Sequence, residues 1–191
     1  MVDTNYSQQL SDAFGFLSPE EIEVIHRTLN LCKDAPIVLE IGTGAGTSLL
    51  SVLESRPMSY ITSVDIIPSA VAPRIKEAGF SSDRISLVVD YSLNVVKTWE
   101  KEIDVFILDG NHNPDNVLKD MKAWCPHLAV GGYFIVHDYG DGNRMWIEKK
   151  EVVDKYARYH GLKLIDHAKA LAVFEKFSTK RKRQSSKKVT A

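Results

Sequence analysis

The sequence contains few cysteines and no long apolar run. Its two cysteines, Cys32 and Cys125, lie far apart in helix-like contexts, which is typical of free thiols in a reducing compartment. No apolar stretch approaches the roughly 18 residues that a membrane span needs. The polar start of the chain lacks the basic and apolar regions of a signal peptide. These absences predict a cytoplasmic protein without a membrane partner.

Acidic residues are also absent from one part of the chain. Residues 178–191 hold six of the 24 Lys and Arg residues and no Asp or Glu. The rest of the chain therefore carries seven more acidic than basic side chains, which argues against nucleic acid as the main substrate. We expect residues 1–177 to form a single domain and residues 178–191 to form a disordered basic tail.

Short apolar runs rich in β-branched residues alternate with segments of helical spacing. This alternation predicts βαβ units and a parallel sheet buried on both faces. The last two runs are separated by only a short turn, which predicts one antiparallel strand near the C-terminus. The predicted fold class is α/β, with a doubly wound, seven-stranded and mostly parallel sheet. The predicted strands are residues 37–41, 60–65, 85–89, 103–108, 133–137, 162–166 and 170–175.

Several helix boundaries can be read from single residues. Pro114 is placed in the first turn of a helix predicted over residues 113–125. Ser18 and Glu21 have the spacing of a capping box, which predicts the start of an N-terminal helix. The pair Gly131-Gly132 is expected to precede the fifth strand.

The strongest local pattern is the segment VLEIGTGAGTS at residues 38–48. A buried strand leads into a tight glycine turn and then into a helix, where backbone N–H groups are unpaired and a ligand can approach closely. Dinucleotide-binding loops prefer the spacing G-x-G-x-x-G. Here the spacing is G-x-G-x-G, which favours a different ligand.

Two carboxylates indicate which ligand this loop binds. Glu40 precedes the glycines, where it would repel a pyrophosphate and attract an ammonium group. Asp65 ends the second strand, where it can accept hydrogen bonds from ribose hydroxyls. A carboxylate for a cationic amino acid and another for a ribose fit S-adenosylmethionine better than NAD.

The glycine loop resembles motif I of the class I S-adenosylmethionine-dependent methyltransferases, and the resemblance extends over about residues 35–176. The segment 109–112 (DGNH) ends the fourth strand and 137–139 (HDY) ends the fifth, as in a subgroup that includes sugar O-methyltransferase-like proteins. The resemblance implies a cofactor site formed by Glu40, Gly42, Thr43, Gly44, Gly46, Ser48, Asp65, Ile66, Asp90, Tyr91, Ser92, Asp109 and Gly110.

A hydroxyl acceptor needs a base to remove its proton or a metal ion to stabilise the developing charge. His112, His137 and Asp109 are the candidate catalytic residues, with either histidine as the base. By the same resemblance Asp109, His137 and Asp138 are candidate ligands of a divalent metal. His137 stands where the sugar enzymes have a further acid, and an imidazole shifts the preference from Mg²⁺ toward transition metals.

The sequence therefore predicts an S-adenosylmethionine-dependent methyltransferase that acts on the hydroxyl of a small molecule, such as a sugar or a natural product. Two alternatives stay open at this stage. One is a cofactor-binding protein with a regulatory role, and the other is an NAD-dependent oxidoreductase. A homodimer is the default expectation for the assembly.

Overall fold

Seven strands form one sheet in the residues that a computed structural model describes, which are 5–14, 16–67, 70–140 and 142–177. The first four strands have the bounds predicted from the sequence. The predicted tail at 178–191 lies outside the described residues. The strands are β1 (Ile37–Ile41), β2 (Tyr60–Asp65), β3 (Ile85–Val89), β4 (Ile103–Leu108), β5 (Leu128–Val136), β6 (Leu162–Ala168) and β7 (Leu171–Lys176).

The strand order is β3-β2-β1-β4-β5-β7-β6. The pairs β3–β2, β2–β1, β1–β4 and β4–β5 are parallel. β7 is antiparallel to both β5 and β6. The predicted single antiparallel strand near the C-terminus is therefore confirmed. β1 and β4 are neighbours although β2 and β3 lie between them in the chain. The order reverses at this pair, and open α/β sheets bind ligands outside the carboxyl ends of such strands.

Helices cover both faces of the sheet, and each face has its own apolar core. Val38 and Leu39, successive residues of β1, belong to opposite cores, because side chains alternate along a strand. Both cysteines are free, as predicted. In the described ranges no helix combines the length and apolar character needed to cross a membrane. The helices are α1 (Tyr6–Phe14), α2 (Pro19–Asn30), α3 (Thr47–Ser55), α4 (Val71–Glu77), α5 (Ser92–Val95), α6 (Pro114–Trp124) and α7 (Arg144–His160).

The start of β5 differs from the prediction. The strand begins at Leu128, so Gly131 and Gly132 lie inside it rather than before it. The register of its pairing with β4 shifts at this point. Gly131 adopts a φ of +82°, and a Cβ on Gly132 would lie 2.9 Å from the carbonyl oxygen of Asp104. The two glycines therefore allow an irregularity within the strand, which a sequence pattern does not distinguish from a turn.

Candidate functional site

A cavity of about 1180 Å³ opens at the carboxyl ends of the parallel strands. Its lining comes from the segments that follow β1 to β5, from the turn between α1 and α2, and from one side of α6. Pockets for a single small ligand are usually on the order of 300 to 1,000 Å³. The cavity therefore has room for a nucleoside cofactor together with part of an acceptor.

The structure brings almost all of the predicted site residues to this one cavity. Glu40 is the exception, because it lies behind the glycine loop and is 1% exposed. The predicted residues that line the cavity are Gly42, Thr43, Gly44, Gly46, Ser48, Asp65, Ile66, Asp90, Tyr91, Ser92, Asp109, Gly110, His112, His137 and Asp138.

The glycine loop requires glycine for two different reasons. Gly42 has a φ of +95°, and a Cβ there would lie 2.3 Å from the carbonyl oxygen of Asp109. This glycine thus lets the loop after β1 pass close to the end of β4. Gly44 has a φ of +47°, and a Cβ there would have no heavy atom within 4 Å. Because Gly44 lines the cavity, the missing side chain leaves space next to the backbone for a ligand.

Asp65 holds the glycine loop in place. Its Oδ2 accepts hydrogen bonds from the backbone N–H groups of Thr43 at 2.9 Å and Gly44 at 3.2 Å, and its Oδ1 accepts from Ile67 at 3.0 Å. An ionised carboxylate has about four acceptor positions. Asp65 therefore keeps capacity for a ligand hydroxyl while it orders the loop.

Glu40 is a buried carboxyl that accepts hydrogen bonds from the hydroxyls of Ser48 and Ser63. Burial raises the pKa of Glu40 to about 7, although the two serine hydroxyls act in the opposite direction. The negative charges of Asp109 and Asp65 raise the pKa further. A direct contact between Glu40 and a ligand ammonium group stays a prediction, since the side chain does not line the cavity.

His112 and Asp138 form a pair at the cavity wall. Nδ1 of His112 lies 2.6 Å from Oδ2 of Asp138, and their side chains are 38% and 8% exposed. Burial opposes ionisation of Asp138, but His112, His137 and Lys149 outweigh it and hold the pKa of Asp138 below its usual value. Asp138 also adopts a φ of +50°, a conformation that is uncommon outside glycine and frequent at functional sites.

His137 lies between carboxylates on both sides of its ring. Nδ1 is 3.0 Å from Oδ1 of Asp109, and Nε2 is 3.6 Å from Oε1 of Glu21. Burial disfavours the charged ring, but these carboxylates and Asp138 outweigh it and raise the pKa of His137 to about 10. The raised pKa favours the protonated ring, which makes His137 a less suitable base than His112.

The three predicted metal ligands lie together. Asp109, His137 and Asp138 each offer a ligand atom, and these atoms lie within 4.8 Å of one another. Nδ1 of His137 lies 3.0 Å from Asp109, and Asp138 is paired with His112 as well. A divalent metal at this cluster stays a prediction.

Three polar residues of the site were not predicted from the sequence. Glu21 was interpreted only as part of a capping box, which the structure confirms, yet its carboxylate also contacts His137. Asp120 of α6 lines the cavity and accepts a hydrogen bond from Ser92. Lys149 of α7 is fully buried near Asp109 and Asp138. Its segment, WIEKKEVVDKY, has the charge pattern of a solvated helix face and gives no sign of a buried lysine.

Comparisons with known proteins agree with this geometry. The sequence profile of a methyltransferase-domain family matches residues 39–139. An uncharacterized protein, R132 of Acanthamoeba polyphaga mimivirus, is 23% identical over 121 residues, which cover 57% of this chain and 54% of that protein. A tRNA (guanine-N(7)-)-methyltransferase of Mycobacterium tuberculosis is 32% identical over 68 residues, 34% of this chain and 26% of that protein. The chain thus spans about half or less of these curated relatives.

One similar solved structure is that of an O-methyltransferase from Bacillus cereus in complex with S-adenosylhomocysteine. The TM-score is 0.66 at 13% sequence identity, with 91% of this chain and 90% of that chain covered. At this level of identity, the likeness establishes a shared fold.

Proposed function

The chain belongs to this family of methyltransferase domains, and we propose that it transfers the methyl group of S-adenosylmethionine to a hydroxyl of a small molecule. The observation that carries the proposal is the pair of His112 and Asp138 at the wall of the cavity that also contains the glycine loop. This arrangement joins a cofactor site and a base in one space.

The residues present fit S-adenosylmethionine. Gly44 leaves open space beside the backbone, and Asp65 is placed to accept hydrogen bonds from a ribose. Asp90, Tyr91 and Ser92 line the same cavity and are the proposed contacts of the adenine ring. The cofactor would supply a methyl group on a positively charged sulfur, which leaves as a neutral thioether.

His112 is the proposed general base. Oδ2 of Asp138 lies 2.6 Å from its Nδ1, an ion-pair contact without the alignment of a hydrogen bond, and Nε2 is the nitrogen proposed to accept the proton of an acceptor hydroxyl. A buried carboxylate that orients a histidine in this way also stabilises the imidazolium that forms. The acceptor oxygen then gains the methyl group, and the proton leaves from Nε2 to water. No step is assigned to a metal ion.

The lining supports a small acceptor with an apolar part. The aromatic side chains of Phe16 and Trp146 line the cavity, and Phe16 is 53% exposed. A sugar-containing natural product or a phenol has both a hydroxyl and such an apolar face. The B. cereus O-methyltransferase has the same fold, which agrees with a hydroxyl acceptor.

Incubation with S-adenosylmethionine and a panel of sugars, phenols and tRNA, followed by mass spectrometry, tests the proposal. We expect a methylated small molecule together with S-adenosylhomocysteine. Methylation of tRNA alone would contradict the small-molecule acceptor. Binding of S-adenosylhomocysteine without turnover on any acceptor would favour the alternative of a regulatory, cofactor-binding protein.

The role of His112 is tested by the variant His112→Gln. We expect the turnover number to fall by about 10²- to 10⁴-fold, the usual contribution of a general base. Affinity for S-adenosylhomocysteine should stay the same, because the variant does not touch the glycine loop. His160→Gln is the matched control, since His160 lies outside the cavity lining. Unchanged turnover in His112→Gln would remove His112 from the mechanism.

A further inference from the structure

Asp120 is a buried carboxylate of the cavity lining that takes no part in the proposed methyl transfer. It lies on α6 and is 6% exposed. Among the described residues its side chain accepts one hydrogen bond, which the hydroxyl of Ser92 donates to Oδ1. An ionised carboxylate has about four acceptor positions, and leaving them unfilled in a buried place is costly. Asp120 therefore has capacity for a donor on a ligand in the cavity.

The hydrogen bond from Ser92 places Asp120 at the adenine end of the proposed cofactor site. Ser92 begins α5, two residues after Asp90, which directly follows β3. In the sheet β3 lies next to β2, whose Asp65 is the proposed ribose contact, and the glycine loop follows β1 on the other side of β2. The strand order therefore runs from the adenine end toward the glycine loop, and Asp120 contributes to the adenine end from α6.

Asp90 is the other carboxylate at this end of the cavity, but its side chain stabilises the turn that contains it. Its Oδ1 accepts hydrogen bonds from the backbone N–H of Tyr91 at 2.6 Å and from Nδ2 of Asn94 at 2.9 Å, and the residue is exposed. Water can replace a ligand at an exposed carboxylate, whereas a buried carboxylate that loses its donor stays unpaired. Asp120 is therefore better placed than Asp90 to discriminate between ligands.

We propose that Asp120 selects the adenine of the cofactor by accepting a hydrogen bond from its exocyclic amino group, and that Ser92 holds the carboxylate in position. An ionised carboxylate only accepts hydrogen bonds, and the exocyclic amino group is a donor of the adenine ring. A purine without this group would leave the buried carboxylate unpaired. The inference rests on the proposed function and gives Asp120 a role in cofactor selection.

Calorimetric titration with S-adenosylhomocysteine and with its 6-deamino analogue, in which hydrogen replaces the exocyclic amino group, tests the proposal. We expect the wild-type protein to bind S-adenosylhomocysteine about 10- to 100-fold more tightly than the analogue, as is usual for a hydrogen bond to a charged group. In Asp120→Leu this preference should disappear, because leucine has a similar size but accepts no hydrogen bond. A purely structural role would weaken the binding of both ligands together, and an unchanged preference in Asp120→Leu would overturn the proposal.

Two further variants complete the series. Asp120→Asn keeps a carbonyl oxygen as an uncharged, weaker acceptor, so it should retain only part of the preference. If Asp120→Leu does not fold, a full wild-type preference in Asp120→Asn would overturn the proposal. Asp115→Leu is the matched control on the same helix, because Asp115 is exposed and outside the cavity lining. Its preference should equal that of the wild type, and loss of the preference there as well would contradict the assignment to Asp120.

The same titrations separate this inference from the proposed function. If neither ligand binds to the folded wild-type protein, the proposed function fails and the inference fails with it. If the wild-type protein binds S-adenosylhomocysteine and the analogue equally well, the cofactor site stands and only the role of Asp120 is overturned.

Discussion

At the scale of single residues, two histidines that the sequence does not distinguish have different environments in the site. His137 is 13% exposed and lies between carboxylates, which outweigh the effect of burial and raise its pKa to about 10. His112 is 38% exposed, and its Nδ1 lies 2.6 Å from Oδ2 of Asp138. The difference arises because Glu21 reaches His137 from α2, a contact between residues 116 positions apart. The sequence identifies both histidines but cannot assign their roles, since that contact is not local.

Glu40 provides a prediction about pH and stability. Its pKa is raised by burial from 4.5 to about 7, so the folded protein holds this proton more tightly than the unfolded chain. Stability is therefore lost as pH rises from 4.5 to about 7. Glu40→Gln keeps the shape and can still bond to Ser48 and Ser63 but cannot ionise. We expect the variant to gain at most about 3 kcal/mol relative to wild type above neutral pH.

Thermal unfolding at pH values on either side of this window measures the gain. The melting temperature of Glu40→Gln, relative to wild type, should be higher at alkaline than at acidic pH, by about 2 to 4 °C per kcal/mol for a chain of this size. Glu23→Gln is the control, because Glu23 is 69% exposed, and its effect should change little across the window. A difference between Glu40→Gln and wild type that is the same at every pH would contradict the account.

At the scale of elements, β1 and the loop that follows it create the site. β1 is paired on both sides and its alternate residues enter the two cores, so its position is fixed by packing. The loop then turns at Gly42, close to the end of β4. This close approach brings the glycine loop and Asp109 to the same edge of the sheet.

Two substitutions in this loop should differ in effect, with Gly42→Ala acting mainly on stability and Gly44→Ala mainly on binding. Gly42→Ala adds a Cβ that would lie 2.3 Å from a backbone oxygen at a φ of +95°, and we expect a loss on the order of 4 kcal/mol from strain and overpacking. Gly44→Ala should cost only about 1 to 2 kcal/mol, since its conformation is left-handed but uncrowded. Its methyl group would occupy cavity space, so affinity for S-adenosylhomocysteine should fall by about tenfold or more.

Denaturant unfolding and calorimetric titration measure the two effects separately. The account expects Gly42→Ala to be the less stable protein and Gly44→Ala to be folded with weakened binding. Wild-type affinity in Gly44→Ala would show that the ligand does not approach the loop at this residue.

The bounds of the strands were predictable from the sequence for β1 to β4 but not for β5. The first four have the predicted bounds, and in β3 and β4 the apolar run is bounded by a charged residue on each side. The prediction failed at β5, where Gly131 and Gly132 fill an irregularity inside the strand. Likewise the burial of Lys149 was not predicted, because the charged residues around it in the sequence have the pattern of a solvated helix face.

At the scale of the whole molecule, the reversal of strand order between β1 and β4 places the cavity. All five parallel strands from β1 to β5 are followed by residues that line it. The N-terminal helices and the turn between them add Ser11, Leu17 and Glu21 to the lining, and Glu21 also contacts His137. Acceptor selection should therefore depend on the segment between α1 and α2. The predicted homodimer stays a prediction.

Calorimetric titration with S-adenosylhomocysteine tests the central claim most directly. We expect one molecule to bind per chain in the micromolar range, with binding abolished in Asp65→Ala but retained in the control Asp83→Ala, whose aspartate is exposed and outside the cavity lining. NAD should not bind. No binding of S-adenosylhomocysteine to the folded wild-type protein, or binding of NAD in its place, would contradict the assignment of this chain as a methyltransferase.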